Sequence, residues 1–347
     1  MTTTDDWKIG TPEEVGLEGS PLAALSNWLD SVPGSNVHSV LVVRHGTLAF
    51  EHYRTGDDER WGAPLPDVAH AADVKHDIRS VTKIITGLLV GCAIEAKLLP
   101  GIDMPFFDAL PDYADLRTAD KDGIQIRYLL TMSAGLAWDE NGPVNDPNHG
   151  EFRLWHSDDR IRTALAPNLV AAPGATWTYS GGCTALLGAI LERATGQPLD
   201  AFADAALFAP LAISDVEWAR HRDNAPSASG GLRMRSRDLA KVGQCVIDGG
   251  RWQGRQLIPA SWITESLSPQ IGCHDRLFYY GYHWWLGRSL VKRADVAWAA
   301  GIGLGGQRLF VIPKLDMVVV ITAGHYGDGL QSWLPLAVLN RFVLAAV

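Results

Sequence analysis

The stretch "HDIRSVTKIITGLLVGCAIEAKLL", His76 to Leu99, decides how this chain is read, because it sets Ser80 and Lys83 three residues apart at the head of a long apolar run. The run predicts a helix over Thr82–Lys97. On a helix begun near Ser80, positions i and i+3 share a face one turn apart, so Lys83 can lie beside the Ser80 hydroxyl. Ser80 would also sit at the positive end of that helix, where free N–H groups favour developing negative charge. A nucleophile needs this arrangement: an adjacent base, and donors aimed at an oxyanion. The same letters equally fit a serine that caps a buried helix and a lysine that points to water. Ser289 and Lys292 repeat the spacing in "WWLGRSLVKRADVAW", a polar patch between expected strands with no apolar helix behind it, and that copy reads as chance.

Outward from this segment, the two ends of the chain are rich in strands. "SVLVVRHGTLAFEHY" reads as two strands joined by a turn at His45-Gly46, and Arg308–Ile312 with Met317–Thr322 repeats the pattern around Pro313. Pro21–Ser31 reads as a helix with Leu22, Leu25 and Leu29 on one face, and a C-terminal helix is expected from about Leu330. Between the ends, Ile126–Met132, Asp159–Ala166, Thr184–Thr195 and Leu199–Phe208 suit helices, separated by breaks such as "LLPGIDMP" and "AAPGATWTYSGG". The expectation is an α/β chain of the α+β kind, with an antiparallel sheet assembled from both termini and flanked by helices. Residues 1–80 and 205–347 would form the sheet-containing domain and 81–204 an inserted, mainly helical lobe, with the active site between them.

Bulk properties narrow the function. Of 347 residues, 47% are apolar and 20% charged, the balance of a folded globular protein. Acidic residues outnumber basic ones by 39 to 30, giving a net charge of -9 and no basic run, which argues against nucleic acid or an anionic membrane as partner. The opening "MTTTDDWKIGTPEEVG" lacks the apolar core of a signal peptide, and the most apolar segments, Ile84–Ile94 and Trp333–Val347, are too short to span a bilayer. The four cysteines show neither metal-ligand nor redox spacing. A cytoplasmic protein with reduced, mostly buried thiols fits these features, and a homodimer is compatible with them. The 11 histidines are scattered and no His-Glu-x-x-His occurs, so neither a metal nor another cofactor is expected. No Gly-x-Ser-x-Gly elbow occurs either.

Two further segments carry candidate chemistry. "PGATWTYSGGCTALLGAILERATG" delivers Tyr179 and Ser180 from a loop of small residues directly before a helix, where a phenol can relay protons between nucleophile and leaving group. An arbitrary tyrosine would more simply pack its ring and give its hydroxyl to a backbone carbonyl. "WAAGIGLGGQRLFVIPKLDMVVVIT" places Gly301, Gly303, Gly305 and Gly306 just before a strand, an edge along which a backbone can approach a ligand closely. Trp138, in "LAWDENG", is a candidate wall for an acyl pocket, the alternative being a tryptophan that packs its own loop.

The order of these signals resembles the penicillin-recognising serine hydrolases, which include class C β-lactamases, D-alanyl-D-alanine peptidases and related esterases: Ser-x-x-Lys at a helix start, Tyr-Ser-Gly about a hundred residues on, and a glycine-rich strand edge. "LLTMSAGL" (129–136) and "GGLRMRSRDLAKVGQCVIDGG" (230–250) add to the likeness, which runs from about Ser39 to Ile321. Within that group "YHWWLG" and "GIGLGGQ" resemble aminohexanoate-dimer hydrolases. The resemblance implies a β-lactamase/transpeptidase-like fold and an acyl-enzyme mechanism. Ser80 would be the nucleophile, Lys83 the base and Tyr179 the acid for the leaving group. The backbone N–H groups of Ser80 and of Leu304, which follows Gly303, would form the oxyanion hole.

The departures matter as much. Gly181 stands where the β-lactamases carry the Asn of Tyr-x-Asn, and Gly301-Ile302-Gly303 stands in place of Lys-Thr-Gly. Without that lysine a substrate carboxylate loses its partner, unless Arg233 or Arg308 replaces it. The expected substrate is therefore a small ester or linear amide. The alternatives are a β-lactamase or D-Ala-D-Ala peptidase, or a catalytically inactive binding protein on the same fold. A free lysine amine, with pKa ~10.4, must be depressed by burial to act as a base at pH 7, or else stay protonated and leave proton transfer to Tyr179.

Overall fold

The computed structural model describes residues 7–274 and 278–347. Its centre is a nine-stranded sheet, in spatial order Lys8–Ile9, Thr47–Tyr53, Val37–Arg44, Met317–Ala323, Gln307–Ile312, Ala294–Gly303, Trp285–Val291, Phe278–Tyr280 and Ile271–Cys273. N- and C-terminal strands meet at its middle, where Val37–Arg44 pairs with Met317–Ala323, so the sheet is assembled from both ends as expected. All pairings are antiparallel except that of Lys8–Ile9 with Thr47 and Leu48, which makes the sheet mixed. This short edge strand lies beyond the reach of an apolar alternation, and both its residues are exposed.

Alternation within the central strands divides the core in two. Leu41, Val43, Val318 and Val320 face one layer, and Val40, Val42, Val319 and Ile321 face the other. Leu22, Leu25 and Leu29 cover the second face together with Leu334, Val338 and Leu339 from the C-terminal helix. The expected Pro21–Ser31 helix is two, Gly19–Ala23 and Leu25–Ser31, broken at Ala24 while keeping the three leucines buried. The first face packs on the Ser236–Ile247 helix and on the long helices Thr82–Glu95 and Gly181–Thr195. Thr82–Glu95 is buried from Thr82 to Ala93, which explains an apolar run with no polar side.

Among the features not foreseen, three concern the surroundings of the central sheet and helices. A hairpin of Thr55–Arg60 and Ala63–Ala69, and a small sheet of Lys75–Asp77, Leu232–Arg235 and Glu217–Trp218, lie beside the central sheet. The segment "TGDDERWGAPLPDVA" has too little apolar alternation to be read as strands. The Leu199–Phe208 helix passes from α to a wider turn at Asp204. Among the described residues no helix is long and apolar enough to cross a membrane.

Candidate active site

Ser80 sits in a tight turn, Arg79–Val81, that runs directly into the Thr82–Glu95 helix. Arg79 holds a left-handed backbone (φ 49°), a conformation that costs a non-glycine residue energy and marks a constrained position. Its guanidinium is anchored on Glu59 at 2.7 Å and lies over the Tyr326 ring. Thr82 closes the turn, donating to Arg79 O at 2.6 Å and accepting from Leu232 N at 3.2 Å.

One turn along, Lys83 Nζ donates to Ser80 Oγ at 3.1 Å and to Ser229 O at 2.8 Å. The ammonium also lies 5.0 Å from the Tyr179 ring centre and 3.8 Å from Glu151 Oε1. The Tyr179 side chain stands next to both Ser80 and Lys83, and each of them pulls its phenol pKa down. Ser180 next to it caps the following helix, accepting from Cys183 N at 3.1 Å, and so fixes where Tyr179 stands. That helix begins at Gly181, three residues before the expected Thr184. Ser80 and Tyr179 keep partial exposure, whereas Lys83 is 2% exposed.

Two carboxylates that sequence reasoning missed complete this network. Glu151 comes from the short helix Gly150–His156 and accepts from Ser229 Oγ at 3.4 Å. Glu140 follows Trp138, whose indole N–H donates to Glu140 Oε1 at 2.6 Å, and the same oxygen accepts from Gly181 N. Desolvation first, and the neighbouring Glu151 second, push the Glu140 carboxyl up to about 7, against the pull of Lys83. For Lys83, burial works to lower the pKa, but Tyr179, Glu151 and Glu140 outweigh it and push the ammonium up to about 12. Burial raises the Tyr179 phenol too, against the attraction of Lys83. Both shifts run toward the protonated forms, the lysine cation and the neutral phenol. No feature of either acidic residue's spacing announces its place, since both come from an irregular loop and its short helix.

The glycine edge packs on the turn that holds Ser80. A Cβ at Gly301 would meet Ile84 Cδ1 at 2.4 Å, and one at Gly303 would meet Ile78 O at 2.6 Å. Only glycine lets the Ala294–Gly303 strand come this close, and the chain continues directly into Leu304. Position 301 faces the helix, so a lysine there would run into Ile84. Neither candidate replacement cation is available. Arg233 is buried against Asp77 at 2.9 Å and also donates to Lys75 O and Glu59 O. Arg308 is buried and spends its guanidinium on the carbonyls of Gly303, Gln307 and Gln331.

Trp138 lies with its ring against Gly150 and Gly182 and its N–H on Glu140, so it braces the carboxylates and the start of the Tyr179 helix. It also borders a surface depression of about 370 Å³ with Asp139, Arg153 and Thr178, a hollow that none of Ser80, Lys83 and Tyr179 lines. The aromatic surface beside Tyr179 is instead Trp285, at 5.8 Å between ring centres, with Trp177 and Tyr280 behind it. The second serine-lysine spacing has no such surroundings: Ser289 accepts from the Trp298 indole at 3.1 Å, and Lys292 is exposed in a hairpin turn.

The Beta-lactamase family matches this chain over residues 32–329. A 6-aminohexanoate-dimer hydrolase of Paenarthrobacter ureafaciens is 26% identical over 314 residues, covering 84% of this chain and 74% of that protein. Esterase EstB of Burkholderia gladioli is 31% identical over 183 residues, covering 50% of this chain and 45% of that protein. Among solved structures, EstCE1, a hydrolase with promiscuous acyltransferase activity, superposes with a TM-score of 0.69 at 19% identity, covering 90% of this chain and 96% of that one.

Proposed function

This chain belongs to the beta-lactamase family and is a serine hydrolase, and from that premise we propose that it cleaves small esters or linear amides through an acyl-enzyme on Ser80. The single observation that carries the assignment of Ser80 is the 3.1 Å contact from Lys83 Nζ to its Oγ, made by a lysine that is buried.

The upward shift of Lys83 shapes the mechanism. Removing a proton from an ammonium costs about 1.4 kcal/mol for every unit by which its pKa exceeds the pH. With Lys83 pushed up to about 12, the free amine is a minor species at neutral pH. We assign proton movement to Tyr179 instead. As Ser80 Oγ bonds to the carbonyl carbon, its proton passes to the Tyr179 oxygen while the phenol proton passes to the leaving group. Lys83 keeps its proton throughout and stabilises the charge that builds on the two oxygens. In deacylation water takes the leaving group's place, its proton moving to Tyr179 and that of Tyr179 returning to Ser80. Backbone N–H groups of Ser80 and Leu304 would hold the carbonyl oxygen, an assignment supported by the close approach of Gly303 to the Ser80 turn.

Substrate class follows from what the strand edge lacks. With Gly301 in place of a lysine and with Arg233 and Arg308 already engaged, no cation from these positions meets a substrate carboxylate. A charge-assisted hydrogen bond is worth about 1.5–3 kcal/mol, so its loss costs carboxylate-bearing β-lactams and D-Ala-D-Ala peptides roughly tenfold to a hundredfold. Measuring kcat/KM for p-nitrophenyl butyrate and nitrocefin under identical conditions tests this, and the ester is expected to win. A better rate with nitrocefin would reject the missing-cation argument. All four cysteines are free and buried, which supports the inferred cytoplasmic location. A homodimer remains compatible with the chain, and sedimentation analysis would distinguish it from a monomer.

A further inference from the structure

Away from the serine, the fold gathers four side chains that the sequence scatters. His38 comes from a central strand, Asp58 from the Thr55–Arg60 strand, His70 from the end of that hairpin, and His76 from the Lys75–Asp77 strand. All four are buried, and one nitrogen or oxygen from each lies within 4.8 Å of every other.

Hydrogen bonding fixes which imidazole nitrogens carry protons. Asn36 Nδ2 donates to Asp57 O at 2.7 Å, so its Oδ1 is the atom that faces His38 Nε2 at 2.9 Å. His38 Nε2 must donate, which leaves the His38 lone pair on Nδ1. His76 Nδ1 faces the carbonyl of Asp77 at 2.9 Å and must also donate, which leaves the His76 lone pair on Nε2. These two lone-pair atoms, His38 Nδ1 and His76 Nε2, lie 2.8 Å apart. Asp58 Oδ1 adds a third electron-rich atom 3.3 Å from His76 Nε2. In addition, Asp58 Oδ2 and His70 Nε2 are buried with no hydrogen-bond partner. An arrangement of facing lone pairs in a buried site is repulsive unless a cation sits among them. A single proton shared by His38 and His76 would answer only that contact and leave Asp58 Oδ2 and His70 Nε2 unsatisfied.

We propose that His38, Asp58, His70 and His76 bind a divalent transition-metal ion of the zinc class. Three imidazoles and a carboxylate are a donor set suited to tetrahedral zinc. The 3.3 Å separation of Asp58 Oδ1 from His76 Nε2 is close to a tetrahedral edge at metal–nitrogen bonds of ~2.1 Å, and His38 and His76 need to part by about half an ångström. His70 stacks on His38 with ring centres 4.0 Å apart and must slide to present its nitrogen. The outer contacts are those that metal ligands use for orientation: Asn36 on His38, the Asp77 carbonyl on His76, and the Tyr326 hydroxyl on Asp58 at 2.8 Å. Four protein ligands leave no open position, so the ion is structural. It would tie the 55–69 hairpin to the central sheet and to the strand that leads, four residues later, into Ser80.

The test uses the whole purified chain, stripped with EDTA and then titrated with zinc or cobalt(II). The proposal expects one equivalent of zinc retained through desalting, a rise in Tm on zinc addition, and visible cobalt bands of tetrahedral intensity. Asp58→Asn and His76→Gln should each weaken zinc binding by at least about 100-fold, whereas His45→Ala, at an exposed histidine, should not. A folded wild-type chain that retains no stoichiometric ion overturns the proposal, whatever the variants do. So does an ion held equally well in Asp58→Asn and His76→Gln.

Discussion

Two Ser-x-x-Lys spacings in one chain, Ser80–Lys83 and Ser289–Lys292, separate what a motif spells from what a fold does with it. The first falls where a turn becomes a helix, so the two side chains stack one turn apart and touch at 3.1 Å. The second straddles the end of a strand and a hairpin turn, where Lys292 takes a left-handed backbone (φ 46°) and points to solvent. The surroundings differ more than the spacing. Lys83 is closed in by Tyr179, Glu151 and Glu140, which push its ammonium up to about 12 against the effect of burial. Ser289 answers an indole N–H, a packing role. Helix, burial and acidic partners together favour the proposed reading of the first pair as a nucleophile and its electrostatic support.

Substitution should break this contrast most sharply at the serines. Ser80→Ala is expected to lower kcat by about 10⁴-fold or more, because the group that forms the bond is gone. Ser289→Ala should leave kcat/KM unchanged and cost only about 1 kcal/mol of stability from the lost Trp298 hydrogen bond. Equal loss in both would erase the distinction. Next in size, Lys83→Ala and Tyr179→Phe should each slow acylation by roughly 10²–10⁴. In the double variant the losses should fall well short of multiplying, since the two residues act as a unit. Near-wild-type acylation in either single variant, measured before the steady state, removes that residue from the mechanism.

A smaller effect sharpens the role of the acidic partners. Glu140 in the folded chain is pushed up to about 7 from an ordinary 4.5. A raised carboxyl means that the native state binds the extra proton between those values. The stability it contributes is full below about pH 4.5 and is lost as pH rises through about 7. Glu140→Gln keeps an Oε1 acceptor for Trp138 and Gly181, so the variant should fold and should flatten this slope. Urea unfolding at pH 5 and pH 8 measures it. An unchanged slope in the variant would show that Glu140 titrates normally.

Legibility in the sequence followed the apolar content of each segment and the turn residues that bound it. The Thr82–Glu95 helix and the central strands stand out as unbroken apolar runs bounded by turn residues, and their ends were placed to within a few residues, as was the start of the C-terminal helix. The serine and lysine were legible because i and i+3 meet on any helix. Tyr179 was marked by its place in a loop of small residues before a helix, and only the family likeness favoured it over an ordinary packed tyrosine. Glu140, Glu151 and Trp285 were not legible: long-range packing brings them to the serine, and nothing local marks them. The histidines at 38, 70 and 76 were missed for the same reason, as were the strands of the acidic, proline-containing hairpin at 55–69.

The central claim is that Ser80, and no other serine, carries the acyl group. Treating the chain with a fluorophosphonate, then mapping the labelled peptide by mass spectrometry, tests it directly. One label per chain on Ser80, absent from Ser80→Ala, is the predicted result. A label on Ser180 or Ser289, or one that persists in Ser80→Ala, would contradict it.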